Sequence, residues 1–225
     1  MKLVIFDCDG TLVDSQNAIC AAMDLAFGGL GLVPPRRIEV LGVVGLSLPQ
    51  AFEVLAPEQP APVRAALAEA YKTAFPKHAP SPLPRDPLYT GAKATIESLA
   101  RRDDIVLGIA TGKSRRGVDR LLDQEGWHGL FRTIQTADDH PSKPHPSMID
   151  TAMREAEIGQ DRTVIVGDTT FDITMGLNAR VTTIGVGWGY HDVTALEQAG
   201  AHAIVSEFDA VEAAIDRLLA VRSQQ

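Results

Sequence analysis

Three runs of apolar residues without polar alternation, at 3–6, 105–110 and 163–166, read as strands buried on both faces, the pattern of a parallel sheet. A further run at 182–186 and a shorter one at 133–135 extend the set. The first three each stop in a polar cluster: Asp7-Cys8-Asp9-Gly10-Thr11, Thr111-Gly112-Lys113-Ser114, and Gly167-Asp168-Thr169-Thr170-Phe171-Asp172. Helical periodicity falls between and after these strands, at about 92–101, 114–125, 146–156, 172–178 and 209–220. Such alternation predicts an α/β fold, a parallel sheet with helices on both faces.

Between residues 15 and 77 the period changes. Apolar positions recur at three and four, as in Ile19, Met23, Ala26 and Phe27 and in Val63, Leu67, Ala70, Tyr71 and Phe75, which predicts amphipathic helices. Pro34, Pro35, Pro49, Pro57, Pro60 and Pro62 punctuate them, and the five prolines between 76 and 87 exclude a continuous helix or central strand. The chain is therefore expected to divide into an α/β core, residues 1–14 and 86–225, and a small helical insertion, residues 15–85. Because the insertion directly follows the first strand, it is expected to lie over that strand's carboxyl end like a lid.

A chain of 225 residues suffices for one good core plus a smaller domain. The formal charge of −8 argues against nucleic acid or an anionic membrane as partner, so a small anionic ligand must be attracted locally. Cys8 and Cys20 have no paired spacing and no ligand cluster around them, which points to a reducing compartment and against structural zinc. No leader pattern and no apolar run of ~20 residues is present, so a soluble, cytoplasmic protein is expected. Oligomeric state is not legible.

Candidate chemistry gathers at the strand ends. Asp7 and Asp9, two residues apart, project from the same side of the extended chain, at the carboxyl edge where open α/β sheets bind ligands. Two carboxylates this close stay ionised together only if a cation or positive side chains share the site. Lys143, in Ser142-Lys143-Pro144-His145-Pro146, is one such candidate. Cys8 points to the opposite face and reads as a small buried apolar residue.

The ordered set Asp-x-Asp-Gly-Thr at 7–11, Thr111, Lys143 and Gly-Asp-x-x-x-Asp at 167–172 resembles the haloacid dehalogenase superfamily. Within it the chain is similar to phosphatases of the phosphoglycolate phosphatase kind. The resemblance implies a Rossmann-like core with a helical cap, and Mg²⁺-dependent hydrolysis of a small phosphorylated metabolite, with 2-phosphoglycolate among the candidates. It implies Asp7 as the nucleophile that forms an aspartyl-phosphate, and Asp9 as general acid and base. Thr111 and the backbone N–H groups of Gly112 and Lys113 would hold phosphate at a helix N-terminus. Lys143 would brace Asp7 and the phosphate, and Asp7, Asp168 and the Asp9 backbone carbonyl would hold the metal, supported by Asp172. A phosphomutase of the β-phosphoglucomutase kind would keep all these motifs. A 2-haloacid dehalogenase would need neither Mg²⁺ nor the acid at Asp9, and a non-catalytic binding protein would show an eroded catalytic position. None is eroded.

One departure stands out: many related phosphatases carry asparagine where this chain has Gly112. In the insertion, residues 42–47 resemble the family's glycine-containing specificity segment, although Ser47 reads first as the N-cap of the next helix. An acidic substrate would want a cationic cap residue, for which Arg36, Arg37, Arg64 and Lys72 are candidates.

Overall fold

The computed structural model describes residues 1–75 and 86–222. Its center is a six-stranded, fully parallel sheet in the order β3-β2-β1-β4-β5-β6, formed by β1 (Lys2–Phe6), β2 (Ile105–Thr111), β3 (Phe131–Thr136), β4 (Thr163–Gly167), β5 (Thr182–Val186) and β6 (Ala203–Val205). The strand order reverses at β1, which is the switch point where such sheets bind ligands. Phe6 pairs with Ile109 on one side and Val166 on the other, so the ends of β1, β2 and β4 lie level.

Side-chain alternation along β1 sorts the two faces. Leu3 and Ile5 pack with Met148, Ile149 and Ala152 of α7 (Ser147–Ala156) and Met175 of α8 (Thr170–Asn178). Val4, Phe6 and Cys8 pack on the other face with α5 (Ala92–Ala100), α6 (Arg115–Glu125) and α10 (Val211–Arg222). Residues 3–6 are completely buried, which explains the lack of polar alternation there. Each such side chain contributes about 1.5–3 kcal/mol of transfer free energy, enough to fix the register that aligns the polar ends.

The insertion supplies α1 (Gln16–Gly29), α2 (Arg37–Leu41), α3 (Leu48–Leu55) and α4 (Ala61–Thr73). They share their own apolar cluster, with Ile19, Met23, Ala26, Phe27, Phe52 and Leu67 inside it and Tyr190 of the core packed against it. The chain enters and leaves the insertion side by side, since the Asp14 N–H donates to the Pro87 carbonyl at 2.8 Å and the Tyr89 N–H to that of Leu12 at 3.0 Å. Most of the proline-marked linker, residues 76–85, lies outside the described residues.

Two elements escape the sequence pattern. β6 has three residues and α9 (Val193–Gln198) has six, too short for any periodicity to register. Among the described residues, no helix is long and apolar enough to cross a membrane.

Candidate active site

The end of β1 places Asp7 in the middle of a buried charged cluster. Lys143 Nζ lies 3.0 Å from Asp7 Oδ1 and 2.7 Å from Asp172 Oδ1, and all three side chains are buried. Asp172, in the first turn of α8, uses its other oxygen to cap that helix, accepting from the Thr169 hydroxyl at 2.6 Å and the Thr169 N–H at 3.1 Å. One carboxylate therefore serves at once as helix cap and as lysine partner. Asp168, just past β4, accepts from the Thr11 hydroxyl at 2.9 Å and from the Tyr190 N–H at 2.9 Å.

One oxygen each from Asp7, Asp168 and Asp172 lies within 4.8 Å of the others. Three clustered carboxylates, two of them paired with the one lysine, leave an excess of negative charge in a buried site. Burial, and then Asp172 and Asp7, push the Asp168 carboxyl well above its usual range. Burial raises the Asp7 carboxyl to about 6, with Lys143 opposing. Burial alone would lower the Lys143 pKa, but Asp172 and Asp7 outweigh it and keep the ammonium charged. Both Asp7 oxygens are shielded from solvent. Three buried carboxylates whose oxygens converge within 4.8 Å fit a hard divalent cation such as Mg²⁺.

Asp9 faces a different neighbourhood. Its Oδ1 accepts from the Ser15 hydroxyl and from Lys113 Nζ, each at 2.5 Å. The sequence expectation concerned the Lys113 backbone N–H, as a phosphate contact, and did not include this side-chain pairing. That N–H donates to the Thr111 hydroxyl at 3.2 Å, and the Lys113 side chain pairs with the acid. The physical reason is charge: burial would depress the Lys113 ammonium, but the Asp9 carboxylate more than compensates. Ser114 caps α6 by accepting from the Gly117 N–H, which sets Thr111 and Gly112 at that helix's mouth. Cys8 is buried in the apolar cluster, and burial pushes its thiol far above the reactive range. His145 accepts from the Ser147 N–H at 3.2 Å and orders its loop.

Backbone fit is as strict as side-chain placement. A Cβ on Gly10, whose φ is +84°, would lie 2.1 Å from Asp168 Oδ2, and one on Gly189 would lie 2.1 Å from Asp168 Cβ. Gly112 is pressed by the insertion: a Cβ there would sit 2.6 Å from the Gly45 carbonyl oxygen. The 42–47 segment thus reaches the core, where the Ser47 N–H also donates to the Ser142 hydroxyl at 2.8 Å, and Ser47 occupies the N-cap position of α3.

The four cationic candidates on the insertion are engaged elsewhere. Arg36 pairs with Glu39 at 2.8 Å, Arg37 donates to Gln16 and Asn17, Arg64 to the Gln59 carbonyl, and Lys72 pairs with Glu69 at 2.6 Å. From the insertion it is Ser15 that bonds Asp9, and burial and then Asp9 hold the Tyr71 phenol protonated. The residues the sequence pattern did not single out are Ser15, Trp188 and Tyr190. The run Gly187-Trp188-Gly189-Tyr190 was the available signal, two glycines and two aromatics directly after a buried strand.

A parallel sheet with a lysine-braced aspartate at its switch point and a carboxylate set suited to a cation defines an enzyme of the α/β class. Residues 4–186 match the haloacid dehalogenase-like hydrolases, and the chain belongs to that family. It is similar to the probable phosphatase IndB of Dickeya dadantii, 35% identical with 98% of this chain and 96% of that protein covered. It is also similar to the phosphoglycolate phosphatase of Vibrio cholerae, 27% identical over 85% of this chain and 86% of the relative. Among solved structures, a predicted phosphatase from Clostridium acetobutylicum superposes with a TM-score of 0.84 at 23% identity, covering 96% of this chain and 99% of the other.

Proposed function

We propose that this hydrolase is a metal-dependent phosphatase that cleaves a small phosphomonoester through an aspartyl-phosphate. The observation that carries the reading is Asp7: a fully buried carboxylate braced by Lys143 at the end of β1. Asp7 attacks phosphorus, the P–O bond to the alcohol breaks, and Asp9 gives that oxygen its proton. Asp9 then takes a proton from water as the water releases phosphate from Asp7. Lys143 holds Asp7 in line and offsets charge on the transferring group, with Thr111 as a further phosphate contact. Mg²⁺ held by Asp7, Asp168 and the Asp9 backbone carbonyl, with Asp172 behind them, would neutralise the phosphate dianion facing the carboxylate.

Residues 15–85 serve as the cap that excludes water and selects the leaving group. Phosphoglycolate phosphatases among the relatives suggest 2-phosphoglycolate, but that substrate needs a cation facing its carboxylate. The insertion's four candidate cations are committed elsewhere, and Lys113 is already paired with Asp9. The reading therefore stops at the class of small phosphomonoesters. Phosphate release by the purified protein, with and without Mg²⁺, is to be measured on phosphoglycolate, sugar phosphates, nucleoside monophosphates and pyrophosphate. Release that persists unchanged after exhaustive EDTA treatment rules out the metal-dependent mechanism.

A further inference from the structure

The loop at 187–190 meets the site at three points. The Trp188 indole N–H donates to the Thr11 carbonyl at 3.1 Å, and the Tyr190 N–H donates to Asp168 Oδ2 at 2.9 Å. The Tyr190 hydroxyl lies 3.0 Å from the Ser15 N and 3.3 Å from Ser15 Oγ. Ser15 is the N-cap residue of α1, yet its hydroxyl makes no bond to that helix. It is turned instead onto Asp9 Oδ1. Diverting a serine from capping forfeits the contribution such residues usually make to their helix. The diversion has to be held by something.

Counting protons identifies the holder. The Ser15 hydroxyl donates to Asp9 Oδ1, so its single proton is committed there. Ser15 Oγ is then the acceptor in its contact with Tyr190, while the Tyr190 oxygen accepts from the Ser15 N–H. Ser15 is thus gripped at both its backbone and its side chain by one phenol. The Tyr190 ring also packs against the apolar cluster of the insertion, so its place depends on where the cap sits.

Resting on the assignment of Asp9 as proton donor, we propose that Tyr190 is a positioning residue. Through Ser15 it aims Asp9 at the leaving-group oxygen, and it does so only while the cap is seated. A single side chain then couples cap closure to proton transfer. Its backbone N–H separately steadies Asp168, a contact that substitution of the side chain leaves in place.

Tyr190→Phe removes the hydroxyl alone. Its rate on an alkyl ester such as glycerol phosphate should fall about tenfold, because proton donation matters for a poor leaving group, and less than about threefold on p-nitrophenyl phosphate. The Mg²⁺ concentration for half-activation should not move. Ser15→Ala should give the same pattern, Ser15→Thr should restore the rate, and Tyr190→Phe with Ser15→Ala should lose no more than the worse single variant. Equal losses on both esters, a shifted Mg²⁺ requirement, or multiplying losses in the double variant overturn the proposal. Wild-type protein releasing no phosphate from any ester with Mg²⁺ would instead sink the phosphatase reading beneath it, so the two failures are distinguishable.

Discussion

Two aspartates two residues apart show how much a side chain's surroundings decide. Strand alternation puts Asp7 and Asp9 on one side of the chain, and that much was legible in the sequence. That Asp9 would pair with Lys113 and Ser15 was not, because Lys113 is 104 positions away and only the fold brings it near. The difference predicts different lesions. Asp7→Asn should abolish phosphoenzyme, trapped from a labelled substrate, since an amide is not a competent nucleophile. Asp9→Asn should keep the nucleophile but lose about 10²–10⁴-fold in rate on an alkyl phosphate and much less on p-nitrophenyl phosphate. Equal losses on the two esters would make Asp9 structural.

Asp86 extends the residue scale to stability. One of its oxygens is shielded without a hydrogen-bond partner, and burial pushes its carboxyl from 3.8 to about 6, opposed by Lys113 and reinforced by Asp9. A carboxyl whose native pKa exceeds its unfolded value weakens the fold once ionised, so the penalty is absent below about pH 3.8, grows toward pH 6 and is full above it. Asp86→Asn should therefore stabilise the protein at pH 7.5, by about 1–2 kcal/mol after discounting for partial exposure. Denaturant titrations at pH 7.5 and pH 4 test this, and a gain that persists undiminished at pH 4 would assign it to another cause.

At the scale of elements, the strands whose ends build the site were all visible as apolar runs, because burial on both faces suppresses alternation over several residues. β6 and α9 were not, being too short, and neither carries site chemistry. The 187–190 loop was missed for another reason: its contribution comes from a backbone N–H and a hydroxyl reaching distant segments, which no periodicity reports. Gly112, flagged as a departure from related phosphatases, has a structural explanation in the Gly45 carbonyl that rests on it. Since the obstruction is backbone, it cannot swing aside as a side chain would. Gly112→Asn should cost about 1–3 kcal/mol against the seated cap, as overpacking does. That lowers kcat/KM by about tenfold or more, and steady-state kinetics on the best ester of the panel read it directly. An unchanged kcat/KM would mean that the 42–47 segment need not approach the core during turnover.

At the scale of the whole molecule, the division of labour between core and insertion can be tested because of how the chain crosses between them. Asp14 and Pro87 are joined by a 2.8 Å backbone hydrogen bond, so a short Gly/Ser linker can replace residues 15–85 without stretching the core. The core keeps two apolar clusters of its own, and Asp7, Asp9, Thr111, Lys143, Asp168 and Asp172 all belong to it. What it loses is Ser15, the Gly45 contact on Gly112 and the cover over Tyr190. A folded core, verified by circular dichroism, should therefore still hydrolyse p-nitrophenyl phosphate in a Mg²⁺-dependent way, because the nucleophile and its brace are intact. Alkyl esters should suffer far more than the activated one, since Asp9 has lost Ser15 and water is no longer excluded. Discrimination among the panel's metabolites should collapse at the same time, because no insertion surface remains to contact the leaving group. If the shortened protein kept the selectivity of the full chain, specificity would have to reside in core loops, with residues 112–116 at the mouth of α6 the first place to look.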